Sequence, residues 1–579
     1  MKRDFTKSSY IRFGSFAVLF GLLTMVPCAS FSQKGISKGE KDLMHHEVIG
    51  DKYVPGSNNK GETSPAYKYE SSIFFMTQVN IDENGENILG DAGNEPSIAV
   101  DPTNPDRMAI GWRQFDDVSN NFRQAGYGYT LDGGETWTFP GVINPGVFRS
   151  DPVLDADNDG RFYYNSLTVD NNDNMWCDVY RTEVGGVEWG EPVYAQGGDK
   201  QWMRIDRTES TGAGNIYAIW NQSWSICQPG FFTRSTDGGD SYEDCTEIDG
   251  SPFWGTLAVD GDGNLYTVGA GGWGDEVIVV KSTNASNAGN PVSWQNAVTV
   301  DLDGYMTGWT NVNPAGLLGQ AWIDVDKSGG PGDGNVYVLA SVARNSSNDE
   351  GDVMFTKSTD GGDTWSAPVR INDDIGTSNI QWFGTMSVAP NGRIDVVWLD
   401  TRDDNPGTYW SSLYYSYSLD QGETWSVNER LSEAFDPHVG WPNQNKMGDY
   451  FDMVSDNSSA HLAWANTLNG EQDVYYGRIT PQLTGINNRS KQDFLSVTNY
   501  PNPFKGETTI RYKLNNQGDV KITIFDVYGK EIKTIVNENK QPGSYSIVFK
   551  AENDLPAGVY YCRMTSGTST KTVSMMLIR

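Results

Sequence analysis

Five carboxylates of this chain stand where they could carry out acid–base chemistry. They lie at the edges of short apolar segments that are typical of buried strands, and they are Glu95, Asp151, Asp400, Asp449 and Asp452. Two carboxyl groups that face one another can protonate a leaving group and stabilise the charge that develops on a sugar ring. These residue types are therefore compatible with a glycosidase or a lyase.

Arginines and tryptophans accompany these carboxylates. The arginines are Arg113, Arg149 and Arg402, and the tryptophans are Trp202, Trp322 and Trp382. A guanidinium group matches a carboxylate in two parallel hydrogen bonds, so the arginines could bind an acidic substrate. Indole rings stack on sugar faces, so the tryptophans could bind the same substrate. Packing between structural repeats is the alternative for the tryptophans, and the sequence leaves both open.

One segment has the spacing of a calcium loop. Asp155, Asp157 and Asp159 alternate before Gly160, but Ser166 stands where such a loop has its glutamate. An ordinary turn is the alternative, so we expect no required cofactor, and structural calcium is the one metal candidate. With four histidines in the whole chain, a histidine-rich zinc site or a Ser-His-Asp triad has little to build on.

Four nearly identical turns, here called the Asp turns, recur along the chain. They centre on Asp132, Asp237, Asp360 and Asp420, and weaker copies lie at 182–189 and 282–294. We expect each aspartate to accept backbone N–H groups, glycine to take a positive φ, and the following aromatic residue to anchor the hairpin. Recurrence about every 50 residues predicts a β-propeller in which these aspartates are structural.

The apolar segments between the turns predict the blades. Seven units pair a strand ending near an aspartate with a second strand that often ends in tryptophan, from 97–112 to 453–464. The last unit has three strands, and the segment 71–80 could supply its fourth, which would close the ring and remove exposed sheet edges. We therefore predict an all-β fold with seven blades, six being the alternative.

The Asp turns follow the pattern S/T-x-D-x-G-x-T/S-W, which resembles the Asp-box, or bacterial neuraminidase repeat. That family includes sialidases, other glycosidases and non-catalytic binding proteins, so the resemblance implies the propeller fold more strongly than a function. It implies a secreted or cell-surface protein that engages glycans, as a binding module or a glycosidase. A structural or adhesive propeller that binds protein partners is the alternative.

An exo-sialidase-like enzyme is the specific hydrolase that this resemblance implies. Its nucleophile would be Tyr450 activated by Glu95, its acid would be Asp151, and Arg113, Arg149 and Arg402 would bind the substrate carboxylate. The Arg-Ile-Pro motif of sialidases is not present. The nearest string is Phe148-Arg149-Ser150-Asp151-Pro152.

The N-terminal segment and the bulk composition indicate export. Residues 1–32 have the basic and apolar regions of a signal peptide, and 33–70 are a polar leader. The formal net charge of −32 argues against nucleic acid as a partner, which requires clustered cations. We expect no transmembrane segment and a monomer. In an oxidising compartment, Cys227 and Cys245 could form a disulfide across the Asp237 turn.

The chain changes character near Pro481. A propeller at 71–482 would be followed by a linker at 483–493 and a small β-sandwich at 494–579. The strings YPNPF, FDVYGK and LPAGVYY in this last part resemble the type A C-terminal sorting domain of type IX secretion substrates. The resemblance implies the type IX machinery as a partner, export across the outer membrane, and release or attachment at the cell surface.

Overall fold

The computed structural model describes two units of the chain, residues 1–481 and 482–579. Described residues are 47, 50–54 and 62–482, with gaps at 171, 173, 224, 273 and 405–406, and 496–578, with gaps at 501, 503, 515–516, 527–528, 542, 552–554 and 567–568. The predicted signal peptide, most of the leader before residue 62 and the predicted linker lie outside them. Among these residues there are strands and no helix, hence no helix able to cross a membrane.

Seven consecutive antiparallel sheets of three or more strands make up most of the first unit and are numbered here in chain order. They are preceded by β1 (Thr63–Pro65), β2 (Lys68–Glu70), β3 (Phe74–Gln78) and β4 (Glu86–Ile88), of which β1 and β4 pair in a separate two-stranded sheet. Sheet 1 has β5 (Ala92–Val100), β6 (Met108–Phe115), β7 (Gln124–Thr130) and β8 (Val142–Ile143). Sheet 2 has β9 (Ser150–Ala156), β10 (Phe162–Val169), β11 (Met175–Arg181) and β12 (Val193–Tyr194). Sheet 3 has β13 (Trp202–Ile205), β14 (Ile216–Ile219) and β15 (Phe232–Ser235).

The remaining sheets repeat this plan. Sheet 4 has β16 (Leu257–Val259), β17 (Leu265–Gly271), β18 (Glu276–Ser282) and β19 (Val298–Val300). Sheet 5 has β20 (Gly304–Tyr305), β21 (Trp322–Val325), β22 (Val336–Arg344), β23 (Asp352–Ser358) and β24 (Val369–Arg370). Sheet 6 has β25 (Gln381–Val388), β26 (Ile394–Asp400), β27 (Ser412–Ser418) and β28 (Glu429–Arg430). Sheet 7 has β29 (Asp452–Ser455), β30 (Ala460–Asn466) and β31 (Asp473–Ile479), with β3 and β2 added beyond β31.

The first strands of the seven sheets form a closed ring. Each contacts the first strand of the next sheet, where β21 and not the short β20 takes this place in sheet 5, and β29 of sheet 7 contacts β5 of sheet 1. The strand β3, which precedes sheet 1 in the chain, completes sheet 7 by pairing with β31 from Phe74–Ile479 to Gln78–Tyr475. This arrangement is a β-propeller, and we interpret the seven sheets of the described residues as its blades. The segments before the first sheet and at the end of the last sheet are thus joined in one sheet, which closes the ring between the last blade and the first.

Side chains at the middle of the first strands bond one blade to the next. The Asp452 carboxylate accepts the Ile98 N–H at 3.1 Å, and Ser97 Oγ in turn accepts the Leu154 N–H at 2.9 Å. Equivalent bonds run from the N–H groups of Ile205, Ile323, Val388 and Ser455 to the side chains of Asp155, Thr256, Asp324 and Ser387. Since the same position bonds at six junctions, the ring is held by a repeated polar contact as well as by apolar packing.

The four Asp turns share one set of hydrogen bonds. In the third, Ser358 Oγ donates to Asp360 Oδ1 at 2.8 Å and accepts the Gly362 N–H at 2.8 Å. Asp360 Oδ1 also accepts the Thr364 N–H at 2.9 Å, and its Oδ2 accepts the Thr364 hydroxyl at 2.5 Å. The turns of Asp132, Asp237 and Asp420 repeat these contacts. Each follows the third strand of its sheet, counted from β21 in sheet 5, so the four turns lie on the edge opposite the start of the first strands.

Tryptophan side chains fill the centre of the ring, since Trp202 of sheet 3 contacts Trp322 of sheet 5. Trp202, Trp322 and Trp382 are 1%, 3% and 0% exposed, and the rings of Trp202 and Trp322 meet edge to face at 5.1 Å. These three side chains therefore pack in the core and offer no exposed platform here. A disulfide joins Cys227 to Cys245, whose Cα atoms lie 6.2 Å apart.

The second unit has its own core. Its sheets contain β32 (Ser496–Tyr500), β33 (Phe504–Lys505), β34 (Glu507–Leu514), β35 (Gly518–Phe525), β36 (Glu531–Lys540), β37 (Gly543–Lys550), β38 (Gly558–Ser566) and β39 (Ser569–Ile578). A three-stranded sheet, β32-β34-β37, and a five-stranded sheet, β33-β39-β38-β35-β36, are formed. Ile510, Ile522 and Phe549 are among the buried residues of their shared cluster. Alternation of apolar and polar residues along each strand gives the two-layer sandwich that the sequence predicted.

Candidate functional site

A buried group of charges lies where the first strands begin. We call it the central cluster, and its members are Glu47, Glu95, Arg113, Arg123, Asp151, Asp199, Lys200, Lys446 and Asp449, all 5% exposed or less. They come from sheets 1, 2 and 3, from the chain leading into sheet 7, and from the leader. The ring of blades therefore assembles residues that are far apart in the sequence.

Several of these residues share an unusual backbone geometry. Glu95, Asp151 and Lys200 have positive φ angles of 50°, 46° and 57° at the start of three successive blades. Trp254 and Phe383 adopt φ angles of 57° and 55° at the start of sheets 4 and 6. Residues with a Cβ rarely adopt this region, at a cost of about 1–3 kcal/mol each, and such strain concentrates at functional sites. A repeated strained position that carries charged side chains marks this end of the ring as the candidate site.

Ion pairs connect the members of the central cluster. Arg113 lies 2.7 Å from Glu47 and 3.3 Å from Glu95. Lys446 Nζ lies 3.1 Å from Glu95 and 2.8 Å from Asp449. Lys200 Nζ lies 3.0 Å from Asp449, 3.2 Å from Asp199 and 3.6 Å from Asp151. Because these charges are removed from water, each depends on its partners for compensation.

The two central carboxylates have opposite pKa shifts. Burial raises the pKa of Glu95 to about 8, outweighing the attraction of Arg113 and Lys446. Burial would also raise the pKa of Asp151, but Lys200, Arg113 and Lys446 outweigh it and hold that pKa well below its usual range. Oxygens of the two carboxyl groups lie within 4.8 Å of one another. At neutral pH, Glu95 can thus hold a proton while Asp151 is ionised, which is the pattern of an acid beside a carboxylate.

Tyr450 lies beneath this pair with its hydroxyl already engaged. The phenol donates to the Pro152 carbonyl oxygen at 2.7 Å, and its ring meets Trp202 edge to face at 5.3 Å. Burial, followed by the charges of Glu95 and Asp151, raises the pKa of Tyr450 well above its usual value. A nucleophilic role for Tyr450 would require both the loss of this hydrogen bond and an acceptor for the phenol proton.

The three predicted arginines have different partners. Arg113 belongs to the central cluster, whereas Arg149 pairs with Asp178 at 2.8 Å. Arg402 pairs with Asp400 at 2.8 Å and lies over the Tyr414 ring at 4.4 Å. The arginine that shares a carboxylate with Arg113 is Arg123, since both contact Glu47. Asp452 bonds sheet 7 to sheet 1, as described above.

Two groups of carboxylates bear on metal binding. Oxygens of Glu47, Glu95 and Asp151 lie within 4.8 Å of one another, but Arg113, Lys200 and Lys446 already supply positive charge among them. In the predicted calcium loop, Asp155 accepts the Ile205 N–H at 2.8 Å, while Asp157 and Asp159 pair with Arg161 at 3.1 and 2.8 Å. Asp155 thus bonds to the next blade while Asp157 and Asp159 share Arg161, and calcium there stays a prediction.

Four members of the cluster were missed by sequence reasoning, namely Glu47, Arg123, Asp199 and Lys446. Lys446 lies three residues before the expected site residue Asp449, and Asp199 lies three residues before the first strand β13, so these positions were the available signals. Arg123 lies in the loop between β6 and β7, and no sequence pattern there indicated a site residue. Glu47 lies in the polar leader, where no periodicity marks a buried residue.

The comparisons with solved structures concern the fold. The chain is similar to a protein of unknown function from Dyadobacter fermentans, with 12% identity, 72% of this chain and 99% of the other covered, and a TM-score of 0.40. It is also similar to a Hadza microbial sialidase, with 11% identity, 64% of this chain and 76% of the other covered, and a TM-score of 0.35. An ulvan lyase described as a new polysaccharide lyase family has 9% identity to it, with 68% of this chain and 94% of the other covered and a TM-score of 0.41. No curated protein matches the chain.

The C-terminal unit has a clear relationship. Residues 498–579 match the family model described as a secretion system C-terminal sorting domain. This match agrees with the YPNPF, FDVYGK and LPAGVYY strings and covers the described sandwich. The chain therefore carries a type IX sorting domain, which directs it through the outer membrane to the cell surface or the medium.

Proposed function

We propose that this exported propeller engages glycans at the central cluster and hydrolyses a glycosidic bond there. The observation that carries the proposal is the pair of Glu95 and Asp151, whose oxygens lie within 4.8 Å of one another and whose pKa values are shifted in opposite directions. Retaining glycosidases place two carboxyl groups about 5–5.5 Å apart, and the upper limit of 4.8 Å between these oxygens is compatible with that arrangement.

Each residue has a role in this proposal. Glu95 donates its proton to the leaving oxygen, because its pKa of about 8 keeps it protonated at neutral pH. Asp151 stays ionised and attacks the anomeric carbon as the leaving oxygen departs, which forms a glycosyl ester. Glu95, now deprotonated, takes a proton from a water molecule that then cleaves this ester and releases Asp151. Arg113 lies 3.3 Å from Glu95 and positions it. Tyr450 as nucleophile, which the sialidase resemblance implies, is kept as the variant mechanism.

A second candidate is a non-catalytic propeller. The ion pairs of the central cluster leave its members buried and mutually compensated, as a structural charge network would be. In that case the cluster would stabilise the ring, and glycans or proteins would bind elsewhere on the surface. The two candidates make different predictions for a variant in which Glu95 can no longer donate a proton. The hydrolase would lose turnover, whereas the non-catalytic propeller would have no turnover to lose.

A turnover screen separates them. The exported full chain is assayed against aryl glycosides, including sialosides and glucuronides, beside Glu95→Gln, Asp151→Asn and Tyr450→Phe. Asp395→Asn is the matched control, because Asp395 is also fully buried and paired with an arginine, at 2.8 Å from Arg393, outside the cluster. Turnover that is lost in the Glu95 and Asp151 variants but retained in the control supports hydrolysis. Equal loss in all variants, or no turnover in any folded sample, supports the non-catalytic candidate.

A further inference from the structure

The leader contributes one residue to the centre of the propeller. Glu47 is 2% exposed, and its carboxylate lies 2.7 Å from Arg113, 3.1 Å from Lys446 and 3.7 Å from Lys200. It also contacts the Arg123 guanidinium. One carboxylate is thus surrounded by four cations that belong to the propeller. Burial of a charge is destabilising unless ion pairs and hydrogen bonds compensate for the loss of water. The four cations around Glu47 supply that compensation.

Neighbouring leader residues are attached by a few contacts that involve side chains. The Asp51 carboxylate accepts the Asn121 N–H at 2.7 Å, and the Tyr53 ring lies 5.3 Å from that of Phe122. The Glu47 N–H donates to Asp199 at 3.1 Å. Residues 47 and 50–54 belong to no strand among the described residues. They therefore lie on the propeller without extending any of its sheets, and their removal would leave the ring of hydrogen bonds between blades in place.

The propeller residues around Glu47 form a site suited to an anion. Arg113, Arg123, Lys200 and Lys446 carry four positive charges, and the nearby carboxylates of the propeller are Glu95, Asp151, Asp199 and Asp449. Burial raises the pKa of Glu95 to about 8 and that of Asp199 to about 7, so these two are only partly ionised at neutral pH. Without Glu47, these four cations would face four carboxylates, two of which have pKa values that burial raises.

We propose that Glu47 occupies the place of a ligand carboxylate, so that the central cluster is a binding site for a carboxylated sugar that the leader holds closed. This inference rests on the proposed glycan function and adds the chemical class of the ligand. A tethered carboxylate competes at a high effective concentration, often in the millimolar range. A free acidic sugar would therefore bind weakly until the leader residue is displaced or removed.

Chemical rescue tests the carboxylate site without requiring turnover. In the full chain, Glu47→Ala removes the internal carboxylate, and sodium acetate should bind in its place and raise the thermal midpoint by about 2 °C or more. Acetamide, the neutral isostere, and sodium chloride at equal ionic strength should not reproduce that rise, and the wild-type chain should not respond to acetate. An equal response of Glu47→Ala to acetate and chloride would overturn the inference.

A second variant covers the case in which Glu47→Ala does not fold. Glu47→Gln keeps the shape of the side chain but loses its charge, so sodium glucuronate should bind this variant at least about tenfold more tightly than the wild type in calorimetry. Glucose is the neutral control and should bind neither. Equal glucuronate affinity in the two proteins would contradict the proposal.

Turnover of aryl glucuronides and sialosides separates this inference from the proposed function. Acetate rescue without turnover in any variant would support the carboxylate site and remove the hydrolase proposal. Turnover in the wild type as fast as in Glu47→Ala would support the hydrolase and overturn closure by the leader. Turnover that appears or rises at least about tenfold in Glu47→Ala would support both.

Discussion

Glu95 combines a strained backbone with a raised pKa. Its φ of 50° directs a carboxyl group toward Arg113 and Lys446, yet burial still raises the pKa of that group to about 8. Lys200 shows the opposite balance, because the attraction of Asp151, Asp199 and Asp449 outweighs its burial and raises its pKa. The protonation states of the site thus depend on which neighbours each buried group has.

The pH dependence of turnover tests the role of Glu95. If its protonated carboxyl group is the general acid, the rate should fall as pH rises through about 8, because the proton is then lost. Glu95→Gln should lower the rate by about 10²–10⁴-fold. A dinitrophenyl glycoside, whose leaving group needs no proton, should be affected much less in this variant. An equal loss on both substrates would contradict the acid role.

The Asp turns act at the scale of a single hairpin. Hydrogen bonds from Thr364 and Ser358 lower the pKa of Asp360 to about 2. Asp360→Ala should lower the thermal midpoint by about 1–2 °C and leave turnover unchanged, because the turn lies at the opposite edge from the site. The native stabilisation is present above about pH 4 and is lost as pH falls toward 2. Asp363→Ala, an exposed neighbour in the same turn, is the control and should have no effect.

The bonds between blades act at the scale of neighbouring first strands. Asp452 accepts the Ile98 N–H at 3.1 Å and the Ser97 hydroxyl at 2.6 Å, which joins the last blade to the first. Asp452→Ala should cost about 1–3 kcal/mol in the free energy of unfolding, because it leaves a buried N–H without its acceptor. Asp452→Asn keeps an acceptor oxygen and should cost less. Denaturant unfolding measures both, and equal losses would show that the hydrogen bond is not the cause.

The whole propeller should lose stability as the solution becomes more alkaline. Burial raises the pKa of Glu95 to about 8 and the pKa values of Asp199 and Asp473 to about 7. The folded state therefore holds protons between about pH 4 and 8 that the unfolded state has released, and stability falls as pH rises through this window. Asp473→Asn should reduce the slope of the thermal midpoint against pH. An unchanged slope would contradict this assignment.

Export depends on the second unit of the molecule. Its buried residues form a core of their own, and residues 498–579 match the sorting domain. Deletion of 498–579 should leave the propeller in the periplasm, while the full chain reaches the surface or the medium. Cell fractionation with immunoblotting measures this, and limited proteolysis of the periplasmic form shows whether it is folded. Export of the truncated chain would contradict the role of the domain.

Local patterns made the fold predictable from the sequence. An Asp turn completes its hydrogen bonds within seven residues, as Ser358 to Thr364 shows, so residue spacing alone specifies it. The alternation of apolar residues likewise indicated the strands, the closing segment near Phe74 and the C-terminal sandwich. Glu95, Asp151 and Arg113 were also expected in one site, and the fold brings them together because the positions before first strands and after second strands share one edge.

The composition of the central cluster was decided by tertiary structure. Glu47 meets Arg113 across 66 residues and Lys446 across 399, distances at which no local pattern operates. Tertiary structure also decided that Arg149 and Arg402 lie apart from Arg113. Arg149 and Arg402 each pair with a carboxylate of their own blade. Sequence thus determined the repeating unit and its turns through short-range hydrogen bonding and periodic burial. Closure of the ring decided which charges meet, because it brings the starts of the blades and Glu47 of the leader together in one buried region.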